Sequence, residues 1–84
     1  MKLIFLDAAW EDYLYWQNND KSILKKINSL VKEIERTPFE GGGKPEQLKH
    51  NLFGWWSRRI NLEHRLIYKI DNEAIVILQC RFHY

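Results

Sequence analysis

A change of hydrophobic period in the middle of the chain constrains its fold more than any other feature. Ile23, Leu24, Ile27, Leu30, Val31 and Ile34 recur at three- and four-residue steps, with lysines and glutamates between them. That spacing gathers the apolar side chains on one stripe of an α-helix, and the stripe must be covered. Asn18-Asn19-Asp20 offers a cap before it, and Thr37-Pro38 stops it, because a residue before proline is driven out of the helical region. Glu40-Gly41-Gly42-Gly43-Lys44-Pro45 admits no regular structure and reads as a loop inside the domain. Beyond it the period becomes two. Leu48 to Phe53, Trp55 to Asn61, His64 to Ile70 and Ala74 to Arg81 read as four consecutive strands, with Gly54 and Asp71-Asn72-Glu73 as turn signals.

The segment before the long helix adds a strand from Lys2 to Leu6, Asp7 as a helix cap, and a short amphipathic helix from Ala8 to Gln17. Two N-terminal helices followed by strands make an α+β protein. With 84 residues, 45% of them hydrophobic, the chain supports one modest core and reads as a single domain over residues 1–84. No apolar run approaches the ~20 residues of a membrane span. Met1 to Leu6 is too short for the core of a signal peptide, and a lone cysteine, Cys80, gives no disulfide framework, so the cytoplasm is the expected location.

Charge is unevenly placed. Residues 1–40 carry six Lys/Arg against seven Asp/Glu, whereas residues 41–84 carry seven against four and all three histidines. The second half suits an anionic partner such as RNA, although ordinary solubilising charge explains the composition as simply. With Asp71-Asn72-Glu73 taken as the turn, Leu66, Tyr68, Ile70, Ala74, Val76, Leu78, Cys80 and Phe82 share an apolar face that should bury against the helices. Arg65, Gln79, Arg81 and His83 then fall on the other face together with the aliphatic Ile67, Ile75 and Ile77, with Arg59 and Asn61 joining them if register holds.

Arg58, Arg59, Arg65, Arg81, His83 and Tyr84, approached by Glu46 and Lys49 from the glycine loop, form the candidate site. Histidine exchanges protons near neutral pH, arginine grips a phosphate in two places, a carboxylate can act as a base, and tyrosine stacks on a nucleobase. These residue types could cleave RNA through its 2′-hydroxyl. From spacing alone, a basic RNA- or protein-binding module explains them more simply. Other chemistries fare worse. Gly41-Gly42-Gly43-Lys44 lacks P-loop spacing and follows a helix, His50, His64 and His83 lack metal-ligand spacing, and Ser57 has no identifiable histidine partner. No metal or cofactor is expected. Trp10, Tyr13 and Trp16 read as core, Cys80 as an inert core thiol, and Trp55-Trp56 as one ring on each face of a strand.

Thr37-Pro38-Phe39-Glu40-Gly41-Gly42-Gly43-Lys44-Pro45-Glu46-Gln47-Leu48-Lys49 resembles the Thr-Pro-Phe, Gly-x-Gly-x-Pro-Glu-x-Leu-Lys stretch of YoeB toxins. Trp56-Ser57-Arg58-Arg59-Ile60, Glu63-His64-Arg65-Leu66 and Cys80-Arg81-Phe82-His83-Tyr84 are similar to further blocks of that family, as is Trp10-x-x-Tyr13-x-x-Trp16 near the start. Phe53 and Trp55 depart from the pattern. The resemblance implies a RelE-like microbial ribonuclease fold, with two helices on one face of a mostly antiparallel sheet and an active site on the opposite face. It implies the toxin of a type II toxin–antitoxin pair, a metal-independent endoribonuclease that cuts messenger RNA in the A site of the 70S ribosome and so inhibits translation. Glu46 would be the general base, His83 the general acid, Arg65 the stabiliser of transition-state charge, and Tyr84 a group that orients or stacks on a base. Lys49, Arg59 and Arg81 would contact RNA. The implied partners are a YefM-type antitoxin, the ribosome and messenger RNA, with operator DNA reached only through the antitoxin complex; homodimers are typical of the family. An inactive relative serving as an antitoxin-binding corepressor and a generic RNA-binding module are the competing readings.

Overall fold

The computed structural model describes residues 1–83. In chain order the elements are β1 (Lys2–Phe5), α1 (Asp7–Asn19), α2 (Lys21–Arg36), β2 (Glu46–Gln47), β3 (Trp56–Arg59), β4 (Arg65–Asp71) and β5 (Ala74–Gln79). The strands form one sheet in the order β1-β5-β4-β3-β2. Its β1–β5 pairing is parallel and the other three are antiparallel, which gives the mostly antiparallel α+β arrangement expected.

α2 follows its sequence signal closely. The Asp20 carboxylate accepts hydrogen bonds from the Ser22 and Ile23 amides at 3.1 and 3.3 Å, satisfying two of the orphan donors at the helix start. Ile27, Leu30, Val31 and Ile34 are buried, and Thr37 closes the helix by donating its backbone N–H to the Glu33 carbonyl. α1 begins one residue earlier than expected. Leu6 holds the cap position with no side-chain bond, and Asp7 enters the first turn, where its charge opposes the helix dipole. Ala9 and Trp16 of α1 are buried, but Trp10 remains 48% exposed, so only part of its aromatic stripe is core.

Both helices cover one sheet face, meeting Leu66 and Tyr68 of β4, Ile75 and Ile77 of β5, and Ile60 and Cys80 beyond the strand ends. Here the facing pattern departs from expectation. Asp71 pairs with Ala74, so the hairpin turns on two residues, Asn72 and Glu73, both with positive φ. A two-residue turn places even positions of β4 opposite odd positions of β5. Ile75 and Ile77, expected on the polar face, therefore face the helices, whereas Ala74 and Val76, expected on the helix side, point away. A bulge then corrects the parity: Tyr68 pairs with Ile77 but Ile67 with Gln79, leaving Leu78 as the extra residue. Beyond the bulge Cys80 lies in the core as expected. Phe82 does not, being 56% exposed.

The strand expected over Leu48 to Phe53 is also replaced. Only Glu46–Gln47 pairs with β3, and a 3₁₀ turn over His50–Leu52 follows. His50 at φ 58° breaks the extended chain, Gly54 at φ 96° turns it back, and the Leu48 amide closes the loop on the Trp55 carbonyl at 3.0 Å. Among the described residues no helix is long and apolar enough to cross a membrane.

Candidate active site

The sheet face turned away from the helices is where the polar residues collect. Register alone places them. Glu46 pairs with Ser57, Ser57 with Ile67 and Ile67 with Gln79, giving one row across four strands. Arg59 pairs with Arg65 in the row two residues along β3. Because Leu66 and Tyr68 belong to the helix-side core, Arg65 and Ile67 face the other way, and Arg59 and Glu46 share their side. Strand spacing of about 4.8 Å and a rise of about 3.3 Å per residue separate the Glu46 and Arg65 Cα atoms by about 12 Å. A phosphodiester fits between side chains of those lengths.

What fixes Glu46 at the end of its row is Arg58, which the sequence reading placed in the polar cluster. Arg58 points to the helix side and is fully buried. Its Nε donates to the Tyr68 hydroxyl at 3.1 Å, Nη1 to the Gly42 carbonyl at 3.1 Å, and Nη2 to the Thr37 and Glu40 carbonyls at 2.6 and 2.8 Å. The Tyr68 hydroxyl donates in turn to the Pro38 carbonyl at 2.6 Å, and burial pushes its pKa up. No carboxylate comes within 4.0 Å of this guanidinium among the described residues; carbonyl dipoles stabilise it instead. Gly43 completes the anchorage. It sits at φ 79°, a Cβ there would lie 3.0 Å from the Arg59 carbonyl oxygen, and its own carbonyl accepts the Arg59 amide at 2.6 Å. The glycine loop is thus bound to β3, and β2 emerges from it in fixed register.

The remaining candidates divide. Lys49, extended and exposed, leads into the 3₁₀ turn beside Glu46. The Arg65 guanidinium folds back, Nη1 donating to the Asn61 and His64 carbonyls at 2.8 and 3.0 Å. The same bonds place Asn61 at the hairpin tip, where its side chain caps the Glu63 and His64 amides. Arg81 is found elsewhere than expected: its guanidinium lies 3.4 Å over the Tyr15 ring of α1, with Nε buried and without a hydrogen-bond partner among the described residues. His83 is exposed and directly follows Phe82, whose carbonyl accepts the Arg65 amide at 3.1 Å, so the tail delivers His83 beside Arg65. Tyr84 lies outside the described residues. No group of three or more His, Cys, Asp or Glu side chains suited to a metal ion occurs among those described.

As foreseen, Trp55 and Trp56 lie on opposite faces. Lys69 Nζ sits 4.8 Å over the Trp55 ring, while Trp56 meets Phe39 and the core. Two arginines, Arg59 and Arg65, converge with Lys49, His83 and the Glu46 carboxylate on this side or its rim, giving an electropositive surface with both a candidate base and a candidate acid. Sequence reasoning missed the buried role of Arg58 and the contribution of α1 to the tail; the residue types gave no local signal for either.

Comparison with known proteins places the whole fold in one family. A family model described as a YoeB-like toxin of bacterial type II toxin–antitoxin systems matches residues 5–84. Toxin YoeB of Escherichia coli strain K12 is 61% identical over the whole of both chains. Among solved structures, the YoeB–YefM complex from Staphylococcus aureus is similar at a TM-score of 0.93 and 52% identity, covering 100% of this chain and 98% of that one. The YoeB dimer from the same organism is similar at a TM-score of 0.94 and 53% identity, with the same coverage.

Proposed function

The chain belongs to the YoeB-like toxins of bacterial type II toxin–antitoxin systems, and from that premise we propose that it is an endoribonuclease that cuts messenger RNA in the ribosomal A site. The observation that carries the reading is the shared outer face. Glu46, Arg59 and Arg65 lie in adjacent rows of it, and the bond from the Arg65 amide to the Phe82 carbonyl brings His83 to its edge.

The chemistry needs only residues of these types. The Glu46 carboxylate takes the proton from a ribose 2′-hydroxyl, whose oxygen attacks the adjoining phosphorus. The bond from phosphorus to the 5′-oxygen breaks as protonated His83 gives that oxygen a proton. The products are a 2′,3′-cyclic phosphate and a 5′-hydroxyl. Arg65, with Arg59 and Lys49, offsets the charge gathering on the phosphoryl oxygens. The nucleophile is already tethered beside the phosphorus, which supplies the proximity advantage. Tyr84 is assigned to the base next to the scissile bond. Arg81, stacked on Tyr15, acts on RNA through the tail it holds. The partners follow the relatives: a YefM-type antitoxin that silences the toxin, a second toxin copy, and operator DNA only through the antitoxin complex.

A message carrying one 2′-deoxyribose before the scissile phosphate tests the mechanism on programmed ribosomes. Cleavage there should vanish while flanking ribose sites are still cut. Efficient cutting at the deoxy-substituted bond overturns the proposal.

A further inference from the structure

The tail that carries His83 is held without a strand partner. β5 ends at Gln79, yet five of the backbone polar groups that follow are individually bound. The Cys80 amide donates to Asp12 Oδ2 at 3.0 Å, and the Cys80 carbonyl accepts from Trp16 Nε1 at 2.9 Å. The Arg81 carbonyl accepts from Gln79 Nε2 at 3.2 Å, and the Phe82 carbonyl accepts from the Arg65 amide at 3.1 Å. The Phe82 amide donates to His64 Nδ1 at 2.7 Å.

That last bond falls at the critical point. Phe82 adopts φ 66°, a left-handed conformation unfavourable to any residue with a Cβ, and the turn it makes sets the direction in which His83 leaves. The Phe82 side chain is more than half exposed, so ring burial does not enforce the turn. His64 is enclosed by contrast. It is 7% exposed, its ring meets Trp16 edge-on at 4.8 Å, and its amide is capped by Asn61 Oδ1 at 2.7 Å. Since Nδ1 accepts a backbone N–H, the neutral ring carries its proton on Nε2, the atom 3.8 Å from the Glu63 carboxylate. Buried in this way, His64 is not placed to touch RNA.

We propose that His64 is a positioning residue for cleavage: through the hydrogen bond from the Phe82 amide to Nδ1 it fixes the left-handed turn that presents His83 to the scissile phosphate. The role rests on the reading of His83 as general acid. Misplacing a catalytic group by about 1 Å costs on the order of 10²-fold in rate, and that is the scale expected when the acceptor is lost.

Two substitutions in the full chain separate positioning from packing. His64→Phe keeps a ring against Trp16 and removes the acceptor. His64→Asn removes the ring but keeps an acceptor, Oδ1, as close to the main chain as Nδ1. His64→Phe should lower kcat about 10²-fold with KM little changed, and His64→Asn should recover most of the loss. A merely structural role predicts the reverse order, since Phe fills the space better. The Phe82 amide resonance gives a second readout that needs no substrate: displaced downfield and protected from exchange in the wild type and His64→Asn, neither in His64→Phe. If His64→Phe does not fold, His64→Gln, whose acceptor lies one bond further out, should show the same loss of kcat and of the amide signature. Unchanged kcat in a folded variant lacking the signature overturns the positioning role, and so does a signature that survives loss of the acceptor. A wild type that cuts no message would overturn the ribonuclease reading, while the amide measurement would still report on the hydrogen bond itself.

Discussion

Replacing Arg58 with Met should destabilise the protein by an amount that its hydrogen bonds allow to be worked out. Met follows the aliphatic stem and leaves no large void, so the loss is chiefly that of the guanidinium. Four hydrogen bonds disappear, one to Tyr68 and three to carbonyls of the segment between Thr37 and Gly42. Bonds from a charged donor contribute about 1.5–3 kcal/mol each. Against them stands the desolvation cost of a cation that is fully buried, which the substitution relieves. Some released carbonyls lie near enough to the surface to recover water. A net loss of about 3–5 kcal/mol is expected, the sum of the four bonds less the desolvation relieved and the carbonyls rehydrated. Total stability of a small domain is about 5–15 kcal/mol, so the variant should fold but marginally. Urea denaturation followed by tryptophan fluorescence is the assay. With m near 1–1.5 kcal/mol/M, the midpoint should fall by about 2–5 M. A midpoint within about 0.5 M of the wild type, at unchanged m, would refute the view that Arg58 anchors the glycine loop.

Further expectations follow from other parts of the molecule. Glu46→Ala and His83→Ala should each slow cleavage by about 10²–10⁴-fold with urea midpoints close to wild type, as single-turnover cleavage on programmed ribosomes would show; loss of folding in either would mean the residue is structural. Gly43→Ala should cost about 1–3 kcal/mol, combining a left-handed backbone with a Cβ 3.0 Å from the Arg59 carbonyl oxygen, measured by the same denaturation. Burial raises the Asp12 pKa above its ordinary value. The charged form is therefore the disfavoured one in the folded state, and stability tied to this group is greatest below about pH 3.8 and lost as pH rises through the folded pKa. Asp12→Asn, still able to accept the Cys80 amide, should gain relative to wild type as pH rises from 4 to 7 in paired urea titrations; a constant difference would contradict this. Burial also pushes the Cys80 thiol up to about 12, so a thiol reagent at pH 8 should modify it only as fast as the protein unfolds.

Several elements were legible in the amino acids alone because their signals are local. The α2 stripe, the Asp20 cap and the Thr37-Pro38 stop are each decided within one or two turns of helix. The alternation in β3 and β4 put Arg59 and Arg65 on one face, and residue types at Glu46 and His83 pointed to proton transfer. Local period states which side of a segment is apolar, but not which residues lie across from it. That depends on turn length, and the two-residue turn at Asn72-Glu73 reversed the facing of β5 until the bulge at Leu78 restored it. Alternation had put both Cys80 and Phe82 on the apolar face, and only the tertiary structure could keep the one in the core and leave the other out. Arg58 and Arg59 are indistinguishable as letters. One is buried because carbonyls of the 37–42 segment converge on it, and the other is exposed because pleating turns it outward. The tail is the strongest case: Asp12, Trp16 and His64, remote from it in sequence, supply bonds that its own residues cannot, because a strand that has left its sheet must find donors and acceptors wherever the fold provides them.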